Sequence, residues 1–509
     1  VPEPVGIGGV VAALSVASDL TRGHPPGEAM RACLLATELA RRAGLPAPRR
    51  SDVYYTTLLR FAGCAATSHE MAGRLGGDDV TVRSRGDLID PVHPAEALRL
   101  LASLGEGAGR LRMLGRAVGA ARFYAESMRA DCEVGADVAR RLRLPEPVVG
   151  AVLDGFERWD GRGAPSGTAG ADIAEPARFA AVGFAVVMFD AVGGPALATE
   201  TVRRWSGRAL DPGIAAAFLE APEELIGASG ADDLWAAVVD AEPPPRRSFR
   251  SADALDEALA AFGDAADLKT PWFHGHSAGV ARLVRDAAAR SGSVDPRLVY
   301  RAGLVHDLGR VAVPTGIWER AGPLRPDEWE QVRLHPYHSG RILARCPQLA
   351  ALAPIASRHH ERPDGTGYPA GVGAAELDAG SCLLAAADVL HALGEDRPHR
   401  PALGLAEASR TLSSLRLDRD AVRAVAAAAG APAAPLPPLP ADLTERELDV
   451  LRRLVAGRSK REIAAELVIS QSTVHTHTVH IYGKCGVSTR AGLAMFAMRH
   501  GIAGAAPAA

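Results

Sequence analysis

The stretch SRHHERPDGTGYPAG, residues 357–371, sets two adjacent histidines directly before a glycine-rich turn. LDGFERWDGRGAPSG, residues 153–167, repeats its frame without them. Glu, Arg, Asp, Gly, Gly, Pro and Gly recur in register, while His359 and His360 give way to Gly155 and Phe156. From Gly155 to Ala185 the first copy aligns without a gap on His359 to Val389. Repetition of this length points to two copies of one structural unit. Upstream, LLRFAG (58–63) falls where the second copy has GLVHDLG (303–309), and His24 is a candidate match for His276.

Composition and punctuation set the frame for this repeat. The chain has 509 residues, 47% of them apolar and 23% charged, which suits two to four packed domains. Alanine is abundant and aromatics make up 5%, a balance that favours helix bundles over β-sandwiches. Proline-rich breaks at 241–248 (AEPPPRRS) and 430–441 (GAPAAPLPPLPA) resist helix formation and divide the chain into blocks 1–240, 250–429 and 442–503. All three read as helical. In DPRLVYRAGLVHDLG an Asp-Pro start precedes apolar Leu298, Val299, Ala302, Val305 and Leu308, which is helix period. RPDEWEQVRLHP begins with Pro and acids and meets a Pro stop after His335.

Net charge is −3, so nucleic-acid binding must be local to one block. The six cysteines form no CxxC pair and read as free thiols of a reducing cytoplasm. No long apolar run predicts a membrane span. The opening VGIGGVVAALSVASDL lacks a basic leader and reads as a core helix.

The second block carries His276, His306, Asp307, His335, His359, His360 and Asp388 on mainly apolar stretches. Imidazole and carboxylate together suit divalent Mn or Fe. Seven such groups suffice for two ions if one carboxylate bridges, and Asp307 is the natural bridge because His306 beside it can hold one of them. A two-metal site clamps the oxygens of a phosphate ester and lowers the pKa of a shared water. Lone histidines such as His338 and His391 read as ordinary packing. The seven together do not, because a buried Asp388 without a partner costs several kcal/mol. In the first block the corresponding positions are Arg60, Phe61, Gly155, Phe156 and Phe184, with the His335 position near Ala130. That copy is predicted to lack metal and to serve as a structural partner or a regulatory pocket.

HDLG, HHERPDGTGYP and AADVLHALGEDRPHR, in this order across about 265–405, resemble the HD-GYP branch of the HD-domain phosphohydrolases. The resemblance implies an all-helical fold and phosphodiesterase activity on a cyclic dinucleotide, typically cyclic di-GMP. Carried over by position, it places metal ligands on the same seven residues and a substrate-side turn on Gly367, Tyr368 and Pro369. It also assigns catalytic roles to Asp307 and Arg310, and substrate contacts to Arg310 and Arg397. The chain departs from the family pattern at Arg310, which replaces a lysine, and at His391 and His399, which replace Asp and Tyr. Trp272 stands where members with a third metal carry Glu, which favours two metals.

The third block begins LTERELDVLRRLVAG, with Thr444 and Glu447 in capping-box spacing. SKREIAAEL, the turn VIS and QSTVHTHTVHIYGKC then follow in helix–turn–helix order. Residues 442–502 hold nine basic and six acidic side chains, a local balance of +3. This block resembles the LuxR/GerE-type DNA-binding domain, with a recognition helix at about 471–484. The resemblance implies DNA contacts from Ser472, Thr473, His475, Thr476, His477 and His480, phosphate contacts from Lys460, Arg461 and Lys484, and dimerisation through 489–500.

The sequence therefore predicts an all-α chain: two tandem HD-like bundles, the first degenerate, and a C-terminal four-helix LuxR-type domain. Its expected role is a cytoplasmic DNA-binding regulator with a two-metal phosphodiesterase centre. The alternative is a nucleotide-responsive regulator whose HD domain binds ligand but turns over little. Expected partners are double-stranded DNA, a nucleotide or cyclic dinucleotide, and a second copy of the chain, with no membrane.

Overall fold

The computed structural model describes residues 5–75, 78–90, 92–93, 96, 120–430, 440–500 and 502. Among these residues the regular structure is helical, with only isolated β-bridges. The chain divides into two compact units, Val1–Ala258 and Leu259–Ala509. Most of the second proline-rich break lies outside the described residues. The first separates a helix ending at Ala241 from one beginning at Ala252.

The first unit is built on α1 (Ile7–Thr21), α2 (Glu28–Arg42), α3 (Ala47–Leu59), α4 (Ala120–Arg141), α5 (Glu146–Leu153) and α6 (Glu175–Trp205). α2, α3 and α6 pack on one another, and Leu35, Leu39, Val53, Phe179, Val182 and Val186 fill the core between them. α6 is long and apolar enough to cross a membrane by length and composition. No unbroken apolar run marks it in the sequence, because Asp190 interrupts a stretch whose hydropathy comes from Val, Phe, Ala and Met. The helix nevertheless loses helical geometry at Gly193 and Gly194, and Phe179, Val182, Phe184, Val186, Val187, Met188 and Phe189 of it belong to the core just described.

The second unit contains α8 (His276–Ser291), which packs on α9 (Pro296–Val305), α13 (Ala379–Leu393) and α14 (Arg419–Ala429). It also contains α10 (Pro326–Arg333), α11 (His335–Ala344) and α12 (Ala353–Ser357), while α7 (Ala252–Asp267) leads into it. Asp295 caps α9 by accepting from Arg297 N, as its Asp-Pro start requires. Pro336, expected as a stop, instead lies in the first turn of α11, where its missing N–H costs nothing.

Each unit contains one copy of the repeated loop, held in the same way. Glu157 Oε1 accepts from the backbone N–H groups of Ser166 (2.7 Å) and Gly167 (3.1 Å). Glu361 Oε1 accepts from Ala370 (2.7 Å) and Gly371 (3.1 Å), and its Oε2 from Val372 (3.1 Å). A Cβ on Gly163 or Gly367 would collide with the backbone of the Glu-Arg pair before it. Gly161 and Gly365 adopt φ of +72° and +75°, which favours glycine. Glu, Gly and Gly in this frame therefore specify the loop itself.

Other local features fix the register between copies. Asp19 accepts from Gly27 N and Ala29 N, and Asp267 accepts from Ser277 N. α2 and α8 each begin just after a left-handed glycine, Gly27 and Gly275. Glu28 thus holds the place of His276, and the expected match of His24 does not hold. Gly63 backs onto the Asp131 carbonyl as Gly309 backs onto that of His335, which puts Asp131, one residue beyond Ala130, at the His335 place.

His24 instead joins a buried ion network. Its Nδ1 donates to Glu28 (2.7 Å) and its Nε2 to Asp87 (3.1 Å), with Arg22 bound to the same two carboxylates. Burial opposes the charged ring, but the bonds to Asp87 and Glu28 override it and raise its pKa to about 9. Its stabilising contribution is complete below an unfolded value of about 6.5 and is lost as pH rises through the folded one. Urea titrations of wild type and His24→Gln should therefore converge by about 3 kcal/mol between pH 6 and pH 9.5. A constant difference would contradict this role.

Candidate metal centre and recognition helix

The seven predicted ligands come from five places. His276 opens α8, His306 and Asp307 follow α9, His335 opens α11, His359 and His360 follow α12, and Asp388 lies within α13. The structure gathers them into two groups, His276–His306–Asp307–Asp388 and His335–His359–His360, in each of which one ligand atom per residue lies within 4.8 Å of the others. Asp307 reaches both groups. Its Oδ2 lies 2.9 Å from His306 Nε2 and 3.6 Å from His276 Nε2, and its Oδ1 lies 3.2 Å from His335 Nε2 and 3.5 Å from His359 Nε2.

The orientation of these rings is fixed from behind. Nδ1 of His306, His335 and His359 lies 2.8, 2.6 and 2.6 Å from the carbonyl oxygens of Gly303, Val332 and Ala356. A carbonyl only accepts, so each Nδ1 carries a proton and donates it, and each ring turns its Nε2 inward. His276 does the same through Nδ1 to Glu395 Oε2 (2.9 Å). Nε2 atoms and carboxylates thus face one another in a buried space: His276 Nε2 lies 3.0 Å from Asp388 Oδ1, and the Asp307 and Asp388 carboxylates override burial to raise His306 to about 10. His306 Nε2 and both Asp307 oxygens have no properly directed hydrogen bond. This nitrogen and oxygen donor set fits divalent first-row cations.

Charge compensation follows the same geometry. Burial alone would raise Asp307, but the Arg310 guanidinium and His306 hold its carboxyl well below the usual range. Burial likewise acts against Asp388, which the His276 ring at 3.0 Å and the nearby His306 hold well down. Burial lowers His335 to about 4. Burial, reinforced by the adjacent His359, pushes His360 well below an ordinary imidazole.

The remaining predicted residues divide between the cavity wall and the support behind it. Tyr368 stacks on His360 with ring centroids 4.7 Å apart, on the turn shaped by Gly367 and Pro369. Arg310 lies 2.5 Å from Asp307 Oδ2 and 4.3 Å from the Phe273 ring, so its charge is directed at the ligands. Arg397 is engaged by Glu395 and the Trp272 carbonyl.

Two residues escaped the sequence reading. Glu395 accepts from His276 and Arg397 and lies 3.2 Å from His391 Nδ1. His391, read as ordinary packing, forms with His276 and Glu395 a third potential ligand group. The i,i+4 spacing of His391 and Glu395 was the available signal. The His391 ring fits because Gly279 of α8 has no side chain to meet it.

In the first unit the matching positions hold no such set. Phe61 packs against Phe156 (5.7 Å) and Phe184 (4.7 Å), and the Arg22 guanidinium lies 3.6 Å over the Phe61 ring.

Four helices follow the second break: α15 (Glu445–Val455), α16 (Lys460–Leu467), α17 (Gln471–Cys485) and α18 (Arg490–Arg499). Thr444 and Glu447 form the expected capping box, and Ser470 caps α17 through Thr473 N. Ser472, Thr473, His475, Thr476 and His480 are exposed on α17, His477 is half-buried, and Val474, Thr478 and Ile481 face inward. Val479, 54% exposed, shares the outer face with Ser472, Thr476 and His480 and was not predicted. Lys460 and Arg461 are exposed, and Lys460 Nζ lies 3.0 Å from His475 Nδ1. Lys484 instead binds Glu447 (2.7 Å) and the Asp442 carbonyl (2.9 Å).

Comparison with known proteins agrees with this layout. Residues 261–420 match the HD domain family model, and residues 441–497 match that of the bacterial regulatory proteins of the luxR family. The chain is 29% identical over 406 residues to 3'3'-cGAMP-specific phosphodiesterase 3 of Vibrio cholerae, covering 78% of this chain and 88% of that protein. It is 38% identical over 141 residues to the cyclic di-GMP phosphodiesterase PA4108 of Pseudomonas aeruginosa, covering 27% of this chain and 34% of that protein. A crystal structure of a cyclic GMP-AMP-specific phosphodiesterase of V. cholerae superposes with a TM-score of 0.58 at 24% identity, over 87% of this chain and 100% of that one, a likeness of fold.

The fit of His391 against Gly279 has a direct test. Gly279→Ala should destabilise the protein by about 1–3 kcal/mol through overpacking, and His391→Ala should relieve most of that loss. Additive effects in urea unfolding would refute the contact.

Proposed function

We propose, from a chain that joins an HD-type metal-dependent phosphohydrolase domain at residues 261–420 to a luxR-family domain at residues 441–497, that it hydrolyses a cyclic dinucleotide and binds double-stranded DNA as a transcription regulator. The observation that carries the enzymatic half is the convergence of the Nε2 atoms of His276, His306, His335 and His359 on Asp307. His276, His306, Asp307 and Asp388 would hold one divalent ion, Fe or Mn, and His335, His359 and His360 with Asp307 the other. When bound, such ions supply Lewis-acid chemistry to a phosphate ester and to an attacking water.

The chain's own groups set the stage for that chemistry. Asp307 joins the two groups, and Arg310 offsets its negative charge. Glu395 accepts the His276 Nδ1 proton and so orients its Nε2, as carboxylates behind ligating histidines do. Glu361 fixes the turn that carries Tyr368, whose ring continues the wall from His360 toward the substrate side. The names of both enzymatic relatives support a cyclic dinucleotide as substrate class. In this reading residues 1–240 are a degenerate HD-like copy without metal ligands, 250–429 the enzyme and 442–503 the DNA-binding domain. The chain acts in the cytoplasm as a homodimer. The engagement of Arg310 with Asp307, rather than with a substrate phosphate, favours a second reading: ligand binding with little turnover.

Full-length protein supplied with Mn or Fe(II) should open 3'3'-cGAMP or cyclic di-GMP, and Asp307→Ala should lower the rate by a factor of at least about 100. Binding without hydrolysis would select the second reading, and neither binding nor hydrolysis would refute both. Deletion of 442–509 should abolish a salt-sensitive gel shift, and Val479→Asp should weaken it by a factor of about 10 or more. Retained specific binding in the deletion would contradict the assignment of 442–503.

A further inference from the structure

Arg60 follows α3 as His306 follows α9: each is the residue that ends its helix. Its guanidinium carbon lies 5.5 Å from the ring centroids of Phe61 and Phe156 and 5.9 Å from that of Phe184. Its Nε is closed off from solvent without a hydrogen-bond partner. Neighbouring arginines of the unit are matched by carboxylates: Arg22 by Glu28 and Asp87, Arg83 by Asp131, and Arg158 by Asp90 and Asp160. Arg60 forms no ion pair with a carboxylate among the described residues. Asp87, the acid within Coulombic reach, is held by Arg22 and His24. Burial lowers the Arg60 guanidinium to about 10, against the smaller opposing pull of Cys132, Tyr124 and Asp87.

Filling a lost metal site requires no such charge. The chain used phenylalanine at Phe61, Phe156 and Phe184, and a fourth apolar group would have packed at lower cost than a half-buried guanidinium without a carboxylate partner among the described residues. A guanidinium beside aromatic rings is, however, suited to a phosphate-bearing ring compound. It binds phosphate oxygens bidentately, and a partly exposed ring offers a stacking face. Phe156 is the partly exposed member of this cluster.

We propose that Arg60 reads the phosphate of a nucleotide bound in the first unit, with Phe156 against its base. The proposal rests on the reading of that unit as a copy without metal ligands. The place where the second unit would present metal ions to a phosphate presents a guanidinium in the first. A ligand held there is bound and not hydrolysed, which makes the first unit a nucleotide sensor.

The test uses the full-length chain carrying Asp307→Ala, so that hydrolysis is silenced, titrated calorimetrically with GMP and with cyclic di-GMP. One of these probes should bind, Arg60→Met should weaken that binding at least tenfold, and Arg60→Lys should restore part of it. Arg60→Met should also raise the melting temperature of the ligand-free protein, because it removes a half-buried charge without a carboxylate partner among the described residues, whereas loss of a structural arginine would lower it. Unchanged binding in Arg60→Met, a lowered melting temperature, or no binding of either probe with Arg60 intact would overturn the proposal. Arg60-dependent binding in a wild type without hydrolytic activity would leave this inference standing and contradict only the enzymatic reading.

Discussion

The candidate centre depends on one electrostatic constraint. Asp307 is buried among imidazoles whose outer nitrogens are already committed to carbonyl or carboxylate acceptors. When neutral, rings anchored in this way present lone pairs to a carboxylate that also presents lone pairs. Such an arrangement is repulsive unless a proton or a metal ion lies between them, and Arg310 supplies one further charge from one side. The helix ends that carry His276, His306, His335 and His359 bring about this convergence.

The scaffold beneath it is independent of the chemistry. The same buried glutamate receives the same loop N–H groups in both units, and the same glycines allow the same close approaches. Ligand positions can therefore change without loss of the fold. Where the second unit has His276, His306, Asp307 and His335, the first has Glu28, Arg60, Phe61 and Asp131. A protein cation, Arg22, lies over Phe61 and binds Glu28, so positive charge persists in the first unit without metal.

Much of this was legible in the sequence. The repeated loop, the histidine–aspartate set and the capped four-helix tail all depend on residue types at fixed local spacing. Glu395 was not legible, because its pairing with His276 joins residues 119 positions apart and only tertiary packing brings them together. The His24 match failed because a gap in the alignment concealed the helix start that places Glu28. Lys484 and Arg397 carry the charges expected for phosphate contact, yet nearby acceptors claim both. Charge alone could not tell a free cation from an engaged one. Val479 was overlooked because polar residues were favoured on the recognition helix, although an exposed apolar group suits a thymine methyl equally well.

The central claim is that Asp307 joins two groups of metal ligands. The most direct measurement is metal content per chain by plasma mass spectrometry, on wild type and Asp307→Asn purified under the same anaerobic conditions with Mn or Fe(II). The account predicts about two ions per wild-type chain and at most about one in the variant, because the shared carboxylate has lost its charge. A wild type without metal, or a variant that retains both ions, would contradict it.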